Sequence, residues 1–363
     1  MADAASRASS DVALPTSAFE YSLPATLIAQ HPAAQRDESR LLVLGRATGA
    51  IEHRTFRDLP DLIQPGDVVV VNESRVFPAR LLGRKPTGGA AEVLLLRPSP
   101  SPSPSLSPDP DTWLALVRPG ARLKAGAIIE VAADLVVHVL ERTPRGARRV
   151  RLATPLPIMQ ALERHGHVPL PPYIERSDSA VDRDRYQTVY ARVAGSVAAP
   201  TAGLHFTPAV LERIVAGGAD LARVVLHVGV GTFRPVEAAD PATHAMHAEW
   251  YRVDAQAAAQ IAAARARGGA LWAIGTTVAR TLETAAGPNG DVAPAEGWTR
   301  LFIRPPYRFR AVDRMVTNFH LPRSTLLMLV SAFAGHAATM RAYHVAIEEN
   351  YRFYSYGDAM AVV

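Results

Sequence analysis

Between residues 68 and 153 the chain writes one short strand after another and no helix. VVVVNESRVFPARLLGRK (68–85) sets an apolar run, a polar turn at Asn72-Glu73-Ser74, and then an alternation through Val76, Ala79 and Leu81. AAEVLLL (90–96), TWLALV (112–117), AIIEVA (127–132), LVVHVL (135–140) and RRVRLA (148–153) follow, each bounded by turn residues. A row of this kind closes into a small antiparallel barrel, because closure removes unpaired strand edges. The row therefore demands a unit with its own core. One insertion breaks it: RPSPSPSPSLSPDPDT (97–112) alternates Pro and Ser, cannot pair or bury anything, and reads as a solvated loop between two strands.

Elsewhere the pattern differs. TLIAQ and RLLVL, within 20–44, read as a short helix and a strand, and FRDLPDLIQPGD (56–67) as a helix closed by Pro-Gly. LPIMQALERHG (156–166) and TPAVLERIVAGG (207–218) are helices, the second with Thr207 as N-cap and Pro208 in its first turn. ARVVLHVGV (222–230) is a buried strand, AQAAAQIAAARARGG (255–269) a helix, and ALWAIG (270–275) a strand feeding the helix TTVARTLETAA (276–286). Alternating strands and helices favour a mixed sheet with helices packed on it. The expected fold is of the α+β class: a larger mixed α/β domain from 19–66 and 155–363, with a smaller antiparallel β-barrel domain inserted at 67–154. Residues 1–18 are expected to be a disordered tail. With 363 residues, 48% of them hydrophobic, the chain can build two cores.

The chain has no cysteine, which excludes disulfides, thiolate nucleophiles and Cys-based metal sites, and fits a cytoplasmic protein. The run LLMLV (326–330) is far short of a bilayer span, so no membrane is expected, and MADAASRASSDVALP lacks an apolar signal core. A formal charge of +5 is compatible with a nucleic-acid partner without requiring one.

Several stretches carry chemistry. APTAGLHFTP (199–208) places Thr201, Gly203 and His205 at a turn, and LHVGVGTF (226–233) does the same with His227, Gly229 and Thr232. In WAIGTTVARTLE (272–283) a strand ends at Gly275, and Thr276, Thr277 and Arg280 open a helix, a pattern suited to a carboxylate or phosphate. NFHLPRSTLLMLVSAFAG (318–335) repeats the device with Asn318, His320, Arg323, Ser324 and Thr325. HAMHAEW (244–250) offers His244, His247 and Glu249, but their spacing suits neither a helical nor a strand metal site; a polar cleft is the reading. YIERSDSAVDRDRYQTVYAR (173–192) interleaves arginines with tyrosines, and PPYRFRAVDR (305–314) is a second basic arm. Such interleaving suits RNA, and equally an acid-balanced surface.

RYQTVYAR, GSVAAPTAGLHFT, LHVGVGTF, HAMHAEWY, GTTVARTLE, TNFHLPRSTLLMLVSAFAG and YRFYSYGDAM resemble the S-adenosylmethionine:tRNA ribosyltransferase-isomerases of queuosine biosynthesis, as do YSLPATLIAQHP and LPDLIQPGDVVVVNESRVFPARL. The resemblance runs from about Tyr21 to Asp358. It implies a ribosyl transfer from S-adenosylmethionine to 7-aminomethyl-7-deazaguanine at the wobble position of tRNA. The product is epoxyqueuosine-tRNA, and adenine and methionine leave. S-adenosylmethionine is then a substrate, and no metal or other cofactor is implied; the resemblance also points to a monomer. Two departures stand out: Glu73-Ser74 replace the usual Asp-Thr of the small domain, and Pro306 stands where a glycine is expected. The rival readings are an S-adenosylmethionine-dependent RNA methyltransferase, which lacks support from any Gly-rich first strand-turn-helix, and a non-catalytic tRNA-binding protein.

On that basis the proton-handling candidates are His205, His227 and His320, with Glu249 and Asp358 behind them. Substrate-binding candidates are Thr201, Gly203, Gly229, Thr232, Glu249, Thr276, Thr277, Arg280, Asn318, Arg323, Ser324 and Thr325. Arg75, Arg176, Arg185, Tyr186 and Arg308 are the candidates for tRNA contact.

Overall fold

The structure, a computed structural model, describes residues 14–99, 109–144, 146–233 and 235–363. A nine-stranded sheet organises the larger unit among these residues. At its centre Val68–Asn72 lies parallel to Asp220–Leu226 on one side and to Leu271–Ile274 on the other. Leu271–Ile274 is in turn parallel to Arg314–Asn318. Glu249–Val253 and Ala295–Thr299 extend one flank antiparallel. On the other flank Ala359–Val362 lies antiparallel to Arg314–Asn318 and joins the hairpin Arg40–Leu44 and Ile51–Thr55 to the sheet.

Both faces of this sheet are covered, and its strands alternate between two cores. Val68 and Val70 face the helices Ala255–Ala266, Thr276–Ala285, Thr325–Ala334 and His336–Glu348; Val69 and Val71 face the helix Pro208–Ala216 and the turn Phe56–Leu62. Central parallel strands buried on both sides need continuous apolar sequence. That explains a correction. The VVVV run, assigned from sequence to the barrel, forms the middle of the large sheet, and the barrel strands begin at Arg80.

The barrel closes in the order Arg148–Ala153, Thr112–Arg118, Ala90–Pro98, Arg80–Arg84, Ile128–Ala132 and Leu135–Arg142, every pairing antiparallel. Its inward residues, among them Leu81, Val93, Ala115, Ile129, Val137 and Val150, form a separate core that Ala161 and Leu162 of the helix Ile158–His165 cover. A short parallel pair, Ser74–Val76 with Val193–Ser196, stitches the units together.

The expected tail ends earlier than residue 18: Thr16–Phe19 form a turn in which Phe19 is buried and Thr16 bonds the Ala238 and Ala239 carbonyls. Residues 1–13 lie outside the described residues. Of the Pro/Ser segment, Arg97 and Pro98 continue a barrel strand, and the Ser99 N–H bonds the Thr112 carbonyl; 100–108 are likewise outside. Among the described residues no helix is long and apolar enough to cross a membrane.

Candidate active site

Four adjacent parallel strands deliver their carboxyl ends to one edge of the sheet, the place where open α/β sheets bind ligands. The chain segments leaving that edge are the ones the sequence singles out: Asn72-Glu73-Ser74, His227-Val228-Gly229, Gly275-Thr276-Thr277 and Asn318-Phe319-His320. A cavity of about 530 Å³ lies there, walled by Thr201, Thr232, Thr276, Thr277, Asn318 and His320, with Tyr173, Phe233 and Tyr354 as aromatic surfaces. A second, of about 460 Å³, shares Val228, Thr232, Thr276, Thr277 and Leu326 with it and adds His244, His247, Glu249, Arg280 and Thr325. The second cavity meets, through Val228, Gly231, His247 and Glu249, a wide groove of about 3290 Å³ between barrel and sheet. The first two are narrow clefts walled by hydroxyl, imidazole and aromatic side chains, and the third is a broad open groove.

Gly275 shapes the first cavity. Its φ of +94° lets the strand turn straight into the helix Thr276–Ala285, and no side chain caps that helix start. The first-turn N–H groups, with their share of the helix dipole, are left for a ligand. One turn on, the Arg280 guanidinium is buried; it bonds the Leu301 carbonyl through Nε and pairs with Glu249 through Nη1, while Nη2 has no partner. Glu249 also accepts the Gly229 N–H at 2.9 Å, so it joins the His227 turn to the Arg280 helix.

The second helix start is different. Ser324 caps Thr325–Ala334 by accepting the Leu327 N–H, and Arg323, at φ +53°, turns outward to Glu20 at 3.2 Å. Of that predicted anion site only Thr325 lines a cavity. Arg323 is corrected: its charge is spent on a surface pair.

The three histidines separate as well. His320 lines the first cavity; its Nε2 sits 2.7 Å from Thr317 Oγ1, and burial pushes its pKa down to about 3, so it is neutral. His227 stacks on Trp250 at the groove, its Nδ1 2.8 Å from Ser74 Oγ, and burial, then the Arg252 charge, lowers it to about 4. Gly195 packs against this ring so closely that a Cβ would lie 2.5 Å from it. His205 is outside the cavity wall. It is buried beside Phe56, with Nδ1 2.7 Å from Ser39 Oγ and Nε2 3.0 Å from the Asn318 amide nitrogen, and burial lowers it to about 3. Its predicted catalytic role is corrected to holding Asn318. Gly203 is likewise buried, under Tyr190 and Thr188. Asp358 does not wall the cavity; its carboxylate accepts the Arg40 and Arg352 N–H groups.

Most tRNA candidates are structural. Tyr186 is fully buried against Tyr356, so no base can stack on it. Arg176 makes a two-bond fork to Asp182 at 2.7 and 2.8 Å, and Arg185 bonds the carbonyls of Ala33 and Ala34. Arg75 is exposed but 3.5 Å from Glu163, and Arg308 lies on the surface. Arg176 thus fits the acid-balanced reading of 173–192, whereas Tyr186 fits neither reading and belongs to the core. The groove instead presents Trp298, half exposed beneath the Arg97 guanidinium at 4.7 Å, together with Arg300 and His227. No sequence motif marks Trp298; it becomes visible only once the barrel stands opposite the flank strand Ala295–Thr299.

Of the two departures, Glu73 turns to Arg192 and Arg223 at 3.7 and 3.9 Å rather than to the cavity, while Ser74 holds His227. At Pro306 the chain still turns, closed by the Tyr307 N–H to the Arg304 carbonyl, and the Tyr307 hydroxyl reaches Glu283. Among the described residues no group of three or more acidic or imidazole side chains converges as a metal site.

A family model described as queuosine biosynthesis protein matches residues 16–362. The chain is similar to the S-adenosylmethionine:tRNA ribosyltransferase-isomerase of Symbiobacterium thermophilum, 54% identical over 347 residues covering 95% of this chain and 98% of the relative. That of Moorella thermoacetica is 53% identical over 348 residues, again covering 95% and 98%. A crystal structure of S-adenosylmethionine tRNA ribosyltransferase from Thermotoga maritima matches with a TM-score of 0.53 at 37% identity, covering 96% of this chain and 100% of that one.

Proposed function

This chain belongs to the queuosine biosynthesis protein family, and from that premise we propose that it transfers and isomerises the ribosyl group of S-adenosylmethionine onto 7-aminomethyl-7-deazaguanine at the wobble position of tRNA. One observation carries the reading: two adjoining clefts at the sheet edge connect through shared walls to the broad groove between barrel and sheet, with Val228 common to all three and Gly231, His247 and Glu249 common to the second cleft and the groove. A reaction between a nucleoside and a tRNA base needs that connection.

Within it, the methionine carboxylate goes to the open N–H groups of Thr276 and Thr277 and the free Nη2 of Arg280. The nucleoside occupies the first cavity, where Tyr173, Phe233 and Tyr354 offer faces to adenine. The sulfonium acidifies the adjacent C5′ hydrogens, so a base that removes one of them sets off the loss of adenine. His320 takes that part by position: it lies in the wall of the first cavity, its Nε2 2.7 Å from Thr317 Oγ1. Anticodon bases stack in the groove on Trp298, and Arg97 and Arg300 accompany the backbone. No cofactor takes part; the protein acts as a cytoplasmic monomer.

Adenine release is the test. Wild-type protein with S-adenosylmethionine should release adenine only when the tRNA carries the aminomethyl-deazaguanine, and the tRNA should gain the mass of the rearranged ring. A tRNA gaining a methyl group, or tRNA bound in a salt-sensitive way with no adenine freed, would reject the reading.

A further inference from the structure

His205 and Asn318 together fix the orientation of one amide on a residue that lines the cavity. The Asn318 amide nitrogen lies 3.0 Å from His205 Nε2, 3.2 Å from the Tyr354 carbonyl and 3.4 Å from the Asp358 carbonyl. Rotating the amide by half a turn would set its oxygen against two carbonyl oxygens, so the NH₂ group must face inward. His205 Nε2 then accepts, and its proton sits on Nδ1. That proton goes to Ser39 Oγ at 2.7 Å, whose own hydrogen goes to the Arg36 carbonyl at 3.2 Å. The chain of bonds has one direction from end to end. What remains is Asn318 Oδ1: buried, without a partner, on a residue that lines the first cavity. A buried carbonyl oxygen left unpaired is costly, and a ligand that supplies a donor recovers the cost.

We propose that Asn318 is a specificity-determining residue that accepts a hydrogen bond from a neutral donor on the nucleoside of S-adenosylmethionine, with His205 as the positioning residue that sets its amide. This rests on the ribosyl-donor reading above and adds the polarity of the contact. An acceptor repels carboxylate and phosphate, so the nucleoside lies at the Asn318 end and the amino-acid part at the Arg280 end. The nucleoside has two kinds of neutral donor, the ribose hydroxyls and the exocyclic amine of adenine.

Isothermal titration without tRNA decides between them, since no transfer can then occur. The ligands are S-adenosylmethionine and its 2′-deoxy, 3′-deoxy and 6-deamino analogues. On wild-type protein one analogue should bind roughly 10-fold to 100-fold more weakly than the parent. On Asn318→Ala the same analogue and the parent should bind within about twofold of each other, because the acceptor is gone. His205→Phe should reduce the discrimination while leaving the affinity for that analogue unchanged, which a merely structural role would not do. Equal binding of all four ligands by wild-type protein overturns the proposal without any variant having to fold. So does discrimination that survives intact in Asn318→Ala. Adenine release by the wild type tests the parent reading separately, so the two can fail independently.

Discussion

At Gly275 a helix starts with its first-turn N–H groups uncapped and an arginine nitrogen unpaired beside them; at Ser324 another starts with a side chain already filling that role and its arginine turned to the surface. In sequence the two look alike, strand end, hydroxyl pair and arginine. They differ in what finishes them. A helix start completed by its own cap is a structural joint, whereas one left incomplete in a buried wall is waiting for a ligand.

The contrast breaks most easily at Arg280. Replacing it with Met leaves Glu249 buried without its cation, so unfolding free energy should fall by about 3–5 kcal/mol, with S-adenosylmethionine binding lost as well. Adding Glu249→Gln should restore much of the stability and none of the binding; recovery of both would mean that Arg280 serves only its partner. Gly275→Ala comes next. At φ +94°, with Ala202 Cβ 3.4 Å away, the new methyl should cost about 1–3 kcal/mol in chemical denaturation and raise the S-adenosylmethionine KM. Ser324→Ala should cost about 1 kcal/mol and leave that KM within twofold. A large KM effect there would erase the distinction. The smallest effect belongs to Arg323→Ala: with an exposed partner, it should change thermal unfolding by less than about 0.5 kcal/mol and activity not at all.

Much of this molecule was readable from its residues. The barrel strands, the helix after Thr207 and the strand–helix unit around Gly275 follow local rules of alternation, capping and period, so they appear where expected. The VVVV run was placed in the wrong unit because an apolar run says that a strand is buried, not which sheet buries it. The site motifs do gather at one sheet edge, yet roles within them did not carry over. His205 and His320 have the same residue type and the same burial; one stands behind the wall and one in it, a difference of topology alone. Tyr186 and Arg176 look like RNA ligands until Tyr356 and Asp182, far along the chain or across a turn, are seen to occupy them. Partners of that kind are set by packing, and no local pattern encodes them.

The strand Ala359–Val362 has an effect on how the molecule is made. It is the sole β-ladder link between the hairpin of residues 40–55 and the remainder of the described sheet. During synthesis, then, Leu41 and Val43 wait with an open edge while some three hundred later residues emerge, and long-range pairings of this sort close slowly. The barrel can complete itself meanwhile, but the Asn318 end of the catalytic edge is braced on one side only until the ribosome has delivered residue 362. Maturation of the pocket thus waits on a strand made more than forty residues after Asn318 itself.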